Sequence, residues 1–463
     1  SRYCGSRLSD WDNGVYRIAF PMPEENNGNG TVSPAFSLPG STPWRTVTVG
    51  ETLKPIVETT VPWDVVEPRY TTTHDYKPGR GTWSWILWQD GSINYDDQVR
   101  YIDFAAAMGY EYALIDNWWD TNIGRDRMKS LIEYARSKGV ELFLWYSSSG
   151  YWNDIEQGPV NHMDNAIIRK REMKWLQSLG VKGIKVDFFG GDKQETMRLY
   201  EDILSDADDH GLMVIFHGCT IPRGWERMYP NYVGSEAVLA SENMVFGQHF
   251  CDEEAFNACL HPFIRNAVGC MEFGGCFLNK RLNRNNDGGT TRRTTDIFQL
   301  ATTVLFQNPV QNFALAPNNL KDVSPVCVDY MKTVPTTYAV KYKIGIEPSP
   351  RMVSLKKRLD DKKARLEEYK NDQAMRKFRT EFVSCPVCRS KINSRYFTPP
   401  ACPVCRCDMR AESVIHTLES LEKAVADLNK RYEYAAEKHN SRFTGGEKWI
   451  IRTVNTPSQE KKG

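Results

Sequence analysis

The sequence predicts an α/β protein: a (β/α)8 barrel, preceded by the remnant of a β-sandwich and followed by an α-helical coiled-coil hairpin with a zinc ribbon. Three observations predict it. Short apolar runs alternate with amphipathic segments eight times between residues 76 and 337, which is typical of repeated βα units. Two CPVC motifs lie between two long charged stretches. The balance of acidic and basic residues also changes sign near residue 338.

The overall composition is that of a globular protein. Of the 463 residues, 41% are hydrophobic and 25% are charged, which excludes wholesale disorder. The net charge of +1 indicates neither a nucleic-acid-binding nor a membrane-surface protein. No apolar run reaches about 18 residues, so no transmembrane helix and no membrane partner is expected. The first ten residues, SRYCGSRLSD, have no apolar core and are predicted not to be a signal peptide.

Charge divides the chain into unlike parts. Residues 338–463 hold 27 Lys and Arg against 16 Asp and Glu, a net charge of +11, and the remaining 32 and 42 leave residues 1–337 at −10. Such an abrupt shift indicates a domain boundary. We therefore expect the end of an N-terminal β-sandwich with a linker in residues 1–75, the barrel in 76–337, and the helical hairpin in 338–463, with the ribbon at 385–407 and a disordered end.

Residues 1–75 are rich in Thr, Val, Pro and Gly. Alternating stretches at 46–49 and 57–61 predict strands there. In the barrel, the predicted strands are residues 83–88, 112–119, 141–146, 184–189, 212–217, 232–238, 270–278 and 311–316. The predicted helices are residues 97–108, 126–138, 166–179, 195–210 and 294–306, each with apolar residues at helical spacing.

Chemistry in such barrels lies at the carboxyl ends of the strands. Carboxylates and Trp or Tyr faces at five strand ends favour a sugar site, in which carboxylates act on the glycosidic bond. The residues predicted to contact substrate there are Trp88, Asp116, Asn117, Trp145, Lys185 and His217. Lys185 lies two residues before Asp187, so it either binds a substrate hydroxyl or pairs with Asp187. Glu236 and Glu242 are the carboxylates of the sixth strand end.

These residues lie in stretches that resemble glycoside hydrolase family 97, bacterial exo-acting α-glycosidases. The matching stretches are GTWSWILWQDGSINYDDQVRYIDFAAAMGYEYALIDNWWD, LGVKGIKVDFFGGDKQ, MYPNYVGSEAVLASEN, RNAVGCMEFGG and QNFALAPNNL. They follow the family order from residue 1 to about residue 337. The resemblance implies a periplasmic or secreted enzyme.

The family divides by mechanism. Inverting α-glucosidases carry a Glu base just after the fifth strand, where this chain has His217 and Gly218, and they lack the strand-four Asp. Retaining α-galactosidases have that Asp. The resemblance therefore implies an α-galactosidase acting on α-galactosides by double displacement, with Asp187 as nucleophile and Glu242 as general acid/base. The alternative in the same family is an α-glucosidase.

The resemblance also implies a Ca²⁺ ion beside the catalytic carboxylates. Glu236 matches one ligand, and Glu242 lies at or near the same ion. Calcium takes six to eight oxygens, more than two carboxylates supply. A further ligand in the family comes from an N-terminal sandwich that mostly precedes residue 1 of this sequence. We therefore expect weakened calcium binding.

The last part of the chain matches no family known to us. Cys385, Cys388, Cys402 and Cys405 form two CPVC motifs separated by thirteen residues, which predicts a four-thiolate zinc ribbon with Cys407 to spare. A strict a/d seam predicts a coiled-coil helix and consists of Val414, Leu418, Leu421, Val425, Leu428, Tyr432 and Ala435. The basic charge suits a nucleic acid or a protein partner, but basic and acidic residues interleave along both helices, so a solvated coiled-coil face is the preferred interpretation. The remaining alternative is a catalytically impaired chimera that acts only as a zinc-ribbon interaction protein.

Overall fold

The computed structural model describes residues 5, 7–12, 15–33, 35, 37–40, 42–150, 152–337, 340–342, 350–375, 382–393, 401–410, 412–440 and 450–452. The chain forms two compact units. Unit 1 comprises Ser1–Ala339 with Thr453–Gly463, and unit 2 comprises Val340–Arg452. Within the described residues, no helix is both long and apolar enough to cross a membrane.

The N-terminal part of unit 1 contains one antiparallel hairpin, β1 (Arg7–Asp12) and β2 (Val15–Ala19). The strands predicted at 46–49 and 57–61 are wrong. Residues 46–49 have no regular structure, and the second stretch overlaps two short helices, α1 (Lys54–Glu58) and α2 (Val61–Asp64). Proline stands in the first turn of each helix, where its missing N–H costs nothing. The exposed side chains of Val47 and Val49 lack the packing that makes alternation a strand.

Seven parallel strands form the wall of the barrel, in the order β11-β3-β4-β5-β6-β7-β8. Their bounds are β3 Gly79–Trp83, β4 Tyr112–Ile115, β5 Glu141–Ser147, β6 Gly183–Asp187, β7 Met213–Phe216, β8 Tyr232–Ser235 and β11 Val310–Phe313. The (β/α)8 barrel predicted from the alternation of strands and helices is confirmed. The first strand ends five residues earlier than predicted, because residues 85–88 form a helical turn.

The predicted seventh strand closes the barrel without regular strand geometry. The amide of Glu272 donates to the carbonyl of Ser235 in β8, and the amide of Ala314, just after β11, donates to the carbonyl of Gly275. Gly274 and Cys276 have φ of +60° and +71°, which is incompatible with extended backbone. Residues 270–278 therefore bridge the two edge strands through isolated hydrogen bonds, and the wall of the barrel is nearly closed.

Helices cover the outside of the wall. The five predicted helices are confirmed within two residues at each end, as α4 Tyr95–Met108, α6 Arg125–Ser137, α7 Ala166–Leu179, α8 Gln194–Asp208 and α11 Asp296–Leu305. Local signals delimit α4 and α7. The side chains of Asn94 and Asn165 accept backbone N–H groups at the helix starts, and Gly109 and Gly180 end the helices in left-handed conformation.

The remaining elements of unit 1 are short connections and one long helix. They are α3 Trp85–Trp88, α5 Trp119–Asn122, α9 Trp225–Met228, α10 Gln248–Ile264, α12 Asn319–Asp322, α13 Pro325–Thr333, β9 Arg281–Leu282 and β10 Thr290–Thr291. Short 3-10 turns lie at Glu25–Gly28, Asp90–Ser92, Ser241–Val245 and Asn266–Val268. The turn at Ser241–Val245 contains Glu242, which lies beyond the end of the sixth barrel strand, β8.

Unit 2 is built on two long helices, α14 (Pro350–Met375) and α15 (Glu412–Asn440). They pack antiparallel: one apolar cluster joins Leu355 and Leu359 to Leu428, and another joins Leu366 to Leu418 and Leu421. The two clusters contain all seven seam residues predicted for α15. Between the helices lies the hairpin β13 (Phe382–Ser384) and β14 (Lys391–Asn393).

The chain ends of unit 2 are also joined. Strand β12 (Val340–Tyr342) pairs antiparallel with β15 (Ile450–Arg452). A disordered end was predicted, but Ile450–Arg452 forms a strand. The rest of the predicted disordered segment lies outside the described residues.

Candidate functional site

Buried charged side chains gather where the barrel strands end. Asp116 follows β4, Lys185 and Asp187 close β6, His217 follows β7, and Glu236 follows β8. Each of the five is no more than 9% exposed. Charged groups are buried at this density only when they are paired or functional. The carboxyl-terminal mouth of the barrel is therefore the candidate active site.

Lys185 links the carboxylates on one side of the mouth. Its Nζ lies 3.0 Å from Asp116 Oδ2 and 3.9 Å from Asp187 Oδ2. It also lies 4.0 Å from the centre of the Trp83 ring, and the Trp83 indole donates to Asp116 Oδ2 at 2.7 Å. Burial alone lowers the pKa of Lys185, but the facing carboxylates outweigh it, and its pKa lies above the ordinary value.

Asp187 is held in one orientation by two donors. The Trp145 indole donates to Oδ2 at 3.1 Å, and the backbone amide of Phe188 donates to Oδ1 at 2.7 Å. These contacts come from neighbouring strand ends. They leave the carboxylate at the mouth with a fixed direction, as a nucleophile or a ligand requires.

His217 joins two carboxylates on the other side of the mouth. Its Nε2 lies 2.7 Å from Glu272 Oε2, and its Nδ1 lies 3.5 Å from Glu236 Oε2. Burial and the Lys185 charge lower the pKa of His217, but Glu236 and Glu272 outweigh them and raise it to about 9. At neutral pH the ring is therefore an imidazolium that partly neutralises the carboxylates around it.

Glu242 differs from these paired groups. Burial raises its pKa well above the ordinary value, and the charges of Glu236 and Asp187 raise it further, whereas His217 and Lys185 oppose the rise. A carboxyl group kept protonated near neutral pH is what a general acid requires. The surroundings of Glu242 thus favour its protonated form.

Strained backbone surrounds the same mouth. Trp118, Phe188 and Ala237 have φ of +65°, +62° and +45°, and each follows a barrel strand by one to three residues. Left-handed conformations are rare for bulky residues, cost about 1–3 kcal/mol each, and cluster at functional sites. The strain is an indication of function that does not depend on the charges.

Gly218 occupies a position that only glycine fits. Its φ is +47°, and a Cβ atom there would lie 2.8 Å from Asp187 Oδ1 and 2.9 Å from the Phe188 amide nitrogen. A side chain at residue 218 and the observed position of the Asp187 carboxylate therefore exclude each other. This contact gives a physical reason why one protein would carry either a Glu at residue 218 or an Asp at residue 187, but not both.

Replacing Gly218 by Ala is expected to lower kcat about 100-fold, because the new methyl group displaces Asp187. Gly109→Ala is the matched control: it has φ of +69° with nothing within 4 Å of the added Cβ. Both variants should lose about 1–2 kcal/mol from left-handed strain. Thermal unfolding and steady-state kinetics of both measure this. Equal kcat in the two variants would contradict the displacement.

The structure brings together most of the predicted site residues. Asp116, Trp145, Lys185, Asp187, His217, Glu236 and Glu242 are linked by the contacts above. Asn117 lies beside them, and its amide donates to Asp90 Oδ1 at 3.2 Å.

Trp88 does not end a strand as predicted. It lies in the helical turn α3, and its ring contacts Tyr101, Arg100 and Arg284. The tryptophan at the end of the first barrel strand is instead Trp83, because β3 ends five residues before Trp88. The parallel, stacked ring of Trp85 lies 5.8 Å from Trp83.

Glu272 was missed by the sequence reasoning, although it is 2% exposed and bonds His217. It lies in the irregular seventh segment, so no strand end marked it. A lone acidic residue in the apolar run of residues 270–278 was the available signal. Its Oε1 atom has no hydrogen-bond partner among the described residues.

Among the described residues, two groups of side chains could hold a metal ion. In unit 1, one ligand atom from each of His217, Glu236 and Glu242 lies within 4.8 Å of the others. In unit 2, the sulfur atoms of Cys385, Cys402, Cys405 and Cys407 do the same. The second group differs from the predicted set, because Cys407 belongs to it and Cys388 does not. Cys388 Sγ instead lies 3.2 Å from Ser390 Oγ.

A (β/α)8 barrel with several buried carboxyl groups, the buried Lys185 and His217, and indole rings at its mouth is an arrangement typical of glycoside hydrolases. Comparison with known proteins finds similarity to one family. Residues 76–238 match the model "Glycoside hydrolase 97", and residues 1–68 match "Glycosyl-hydrolase 97 N-terminal". Over these residues, the chain is similar to glycoside hydrolase family 97.

Two curated relatives are similar to unit 1. One is named "Probable retaining alpha-galactosidase", from Streptomyces bingchenggensis, and is 30% identical over 319 residues, 64% of this chain and 45% of the relative. A "Retaining alpha-galactosidase" from Bacteroides thetaiotaomicron is 28% identical over 326 residues, 65% of this chain and 46% of the relative. The chain thus spans about half the length of the curated relatives it matches.

Solved structures are similar as well. A β-arabinopyranosidase crystal structure is 86% identical, with a TM-score of 0.73, and the match covers 75% of this chain and 55% of that chain. A family 97 enzyme from Pseudoalteromonas sp. in complex with panose is 20% identical, with a TM-score of 0.59, and covers 75% of this chain and 56% of that chain. The second likeness concerns the fold alone.

Proposed function

We propose that the barrel is an exo-acting, retaining glycosidase in which Asp187 attacks the anomeric carbon and Glu242 protonates the departing oxygen. The observation that carries the proposal is the position of Asp187 at the end of β6, fixed by Trp145 and the Phe188 amide. Gly218 supports it, since the close approach to Asp187 excludes a base at residue 218. Retaining enzymes need one carboxylate and one carboxylic acid. The surroundings of Glu242 raise its pKa and favour the acid form, and Asp187 accepts two hydrogen bonds and lies 3.9 Å from Lys185 Nζ.

The steps follow from these groups. Asp187 Oδ forms a bond to the anomeric carbon while the glycosidic C–O bond breaks and the leaving oxygen takes the proton of Glu242. The resulting Glu242 carboxylate then accepts a proton from water as that water displaces Asp187. Two inversions give net retention. Lys185 and the imidazolium of His217 limit the repulsion among the carboxylates during both steps.

For the substrate, we propose glycosides whose ring hydroxyls have the galactose configuration and whose anomeric bond is axial. Relatives named for α-galactose and for β-arabinopyranose support this choice, because α-D-galactopyranose and β-L-arabinopyranose share every ring configuration and differ only in the hydroxymethyl group at C5. The 86% identity favours the β-L-arabinopyranoside as the better of the two substrates. Trp145 and Lys185 line the subsite in this proposal.

The test compares purified full-length chain on p-nitrophenyl β-L-arabinopyranoside, α-D-galactopyranoside and α-D-glucopyranoside. We expect kcat/KM to be highest for the arabinoside and lowest for the glucoside. Proton NMR should show that the first-formed sugar keeps the anomeric configuration of its substrate. A first product of opposite configuration contradicts Asp187 as nucleophile, and preference for the glucoside contradicts the proposed configuration.

We further propose that a Ca²⁺ ion binds at Glu236 and Glu242. Carboxylate oxygens suit calcium, and the ligand atoms of these two residues lie within 4.8 Å of each other. The third member of the group, His217, offers a ring nitrogen, whereas calcium prefers oxygen ligands. Few protein oxygens are therefore at hand, and weak binding is expected. When bound, the ion would supply positive charge close to the leaving oxygen.

Removal of calcium is expected to lower activity, and Glu236→Gln to abolish that response, because it removes the Glu236 carboxylate from the proposed site. The assay measures initial rates in millimolar CaCl₂ and in excess EGTA. Glu253→Gln, at an exposed position on α10, is the control and should respond as the wild type does. Equal wild-type rates in calcium and in chelator would contradict the calcium proposal while leaving the carboxylate mechanism intact.

A further inference from the structure

The region between the two long helices of unit 2 contains two loops of nearly identical conformation. In the first, the Cys388 amide donates to Cys385 Sγ at 3.4 Å and the Arg389 amide donates to the Cys385 carbonyl at 3.0 Å. In the second, the Val404 amide, one residue earlier in its motif, donates to Cys402 Sγ at 3.4 Å, and the Arg406 amide donates to the Cys402 carbonyl at 2.9 Å. Backbone amides directed at sulfur stabilise a thiolate, the form that binds metal.

Each loop ends in the same unusual backbone conformation. Arg389 and Arg406 have φ of +61° and +64°, each one residue after the second cysteine of its motif. This strain costs about 1–3 kcal/mol per residue and persists only where the surroundings compensate for it. Little apolar packing is present to do so, since the buried residues here are Cys385, Ile392, Cys402 and Met409. The loops thus have the geometry of a metal site and too small a core to be held by packing alone.

Sulfur positions agree with a tetrahedral zinc ion. At a Zn–S distance of about 2.3 Å, the sulfur atoms of a tetrahedral site lie about 3.8 Å apart. Two distances between the loops match: Cys385 Sγ to Cys405 Sγ is 3.6 Å, and Cys388 Sγ to Cys402 Sγ is 3.8 Å. None of the described cysteines forms a disulfide, and even the 3.2 Å between Cys385 and Cys407 is well above a bond of about 2.05 Å.

Five thiols therefore compete for four positions. Cys385 and Cys402 are buried. Together with Cys405 they belong both to the four cysteines of the CPVC motifs and to the four whose sulfur atoms lie within 4.8 Å of one another. Two cysteines are candidates for the fourth ligand position. Cys388 lies at the tetrahedral distance from Cys402, whereas Cys407 belongs with the other three to the group whose sulfur atoms all lie within 4.8 Å.

We propose that unit 2 binds one zinc ion through Cys385, Cys402 and Cys405, with the fourth thiolate supplied by either Cys388 or Cys407. The site is independent of the glycosidase chemistry of the barrel. Because binding energy at such a site is folding energy, the ion stabilises the ribbon and the adjoining ends of α14 and α15. The exchangeable fourth ligand lets the site release one thiolate without losing the metal.

The test measures zinc per chain and the apparent zinc affinity of the full chain, purified under reducing conditions, for single and double Cys→Ser variants. Wild type should hold one zinc, and chelation should lower its helical circular dichroism. Cys402→Ser should weaken binding by more than the roughly 10- to 100-fold typical of lost outer partners. Cys388→Ser and Cys407→Ser should each keep one zinc, and the double variant should lose it.

Cys259→Ser, at an exposed free thiol of unit 1, is the control and should change nothing. Cobalt substitution gives a second measurement: the four-thiolate charge-transfer intensity should persist in either single variant and fall in the double variant. Loss of metal in Cys388→Ser alone, or in Cys407→Ser alone, would overturn the exchangeable ligand. Absence of zinc from the wild-type chain, or iron in its place, would overturn the site as proposed.

Discussion

Replacing Asp187 by Gly is expected to lower kcat on aryl glycosides by about 10⁴-fold or more, the scale on which loss of a nucleophile acts. The fold should survive, because Asp187 lies at the mouth and its removal leaves one indole and one amide donor to be solvated. Added azide should restore part of the rate, since a small anion can enter the space of the lost carboxylate. The product of that reaction should be a glycosyl azide of inverted configuration.

The control for this variant is Asp126→Asn, which changes a carboxylate with a side chain 96% exposed on α6. It should have wild-type kinetics. Thermal unfolding of both variants separates a loss of chemistry from a loss of structure. Asp187→Gly with a tenth of the wild-type rate, or an azide product of retained configuration, would remove Asp187 from the nucleophile position.

Replacing Glu242 by Gln is expected to lower the rate on glycosides with an unactivated alcohol leaving group by about 10²–10⁴-fold, the usual contribution of a general acid. Burial and the Glu236 charge raise the pKa of Glu242 and keep its proton available, and Gln has none to transfer. A 2,4-dinitrophenyl glycoside needs no proton to leave, so its glycosylation step should be affected least. The measurement is single-turnover kinetics on the two substrates.

The comparison between leaving groups separates an acid from a structural residue. A merely structural Glu242 would slow both substrates alike, and that outcome would contradict its role as an acid. Glu253→Gln serves again as the exposed control and should slow neither substrate. Because Glu242 also accepts the proton from water in the second step, the covalent intermediate should accumulate with the activated substrate, and its steady-state KM should fall together with kcat.

Local patterns predicted most of the barrel. Helical apolar spacing and capping residues such as Asn165 and Gly180 depend on neighbours within one helical turn. The bounds of α7 and of the other four predicted helices could therefore be predicted closely. The alternation at residues 46–49 is just as regular, but no sheet buries Val47 and Val49, and no strand forms. Alternation with a period of 2 shows that a strand at these residues would have one apolar face. Whether another part of the protein covers that face is decided by tertiary packing.

The candidate site shows the same division. The types of residue at the strand ends, Asp116, Asp187 and His217 among them, could be predicted because a parallel barrel places all such ends at one mouth. The strand was predicted to end at Trp88 but ends at Trp83. A helical turn and a strand are hard to distinguish in the apolar run of residues 83–88. Glu272 could not be predicted from position, because the segment that carries it follows no periodic pattern.

The sequence by itself determined the class of fold, the carboxylates at the strand ends and the paired CPVC motifs, because these depend on residue type and short-range spacing. Only the tertiary structure decided which groups interact. His217 lies between Glu236 and Glu272, and Gly218 lies close to Asp187. Cys388 and Cys407 are alternative candidates for one ligand position. Distances of 3–4 Å between residues far apart in sequence arise from strand register and backbone angles. No spacing along the chain encodes them.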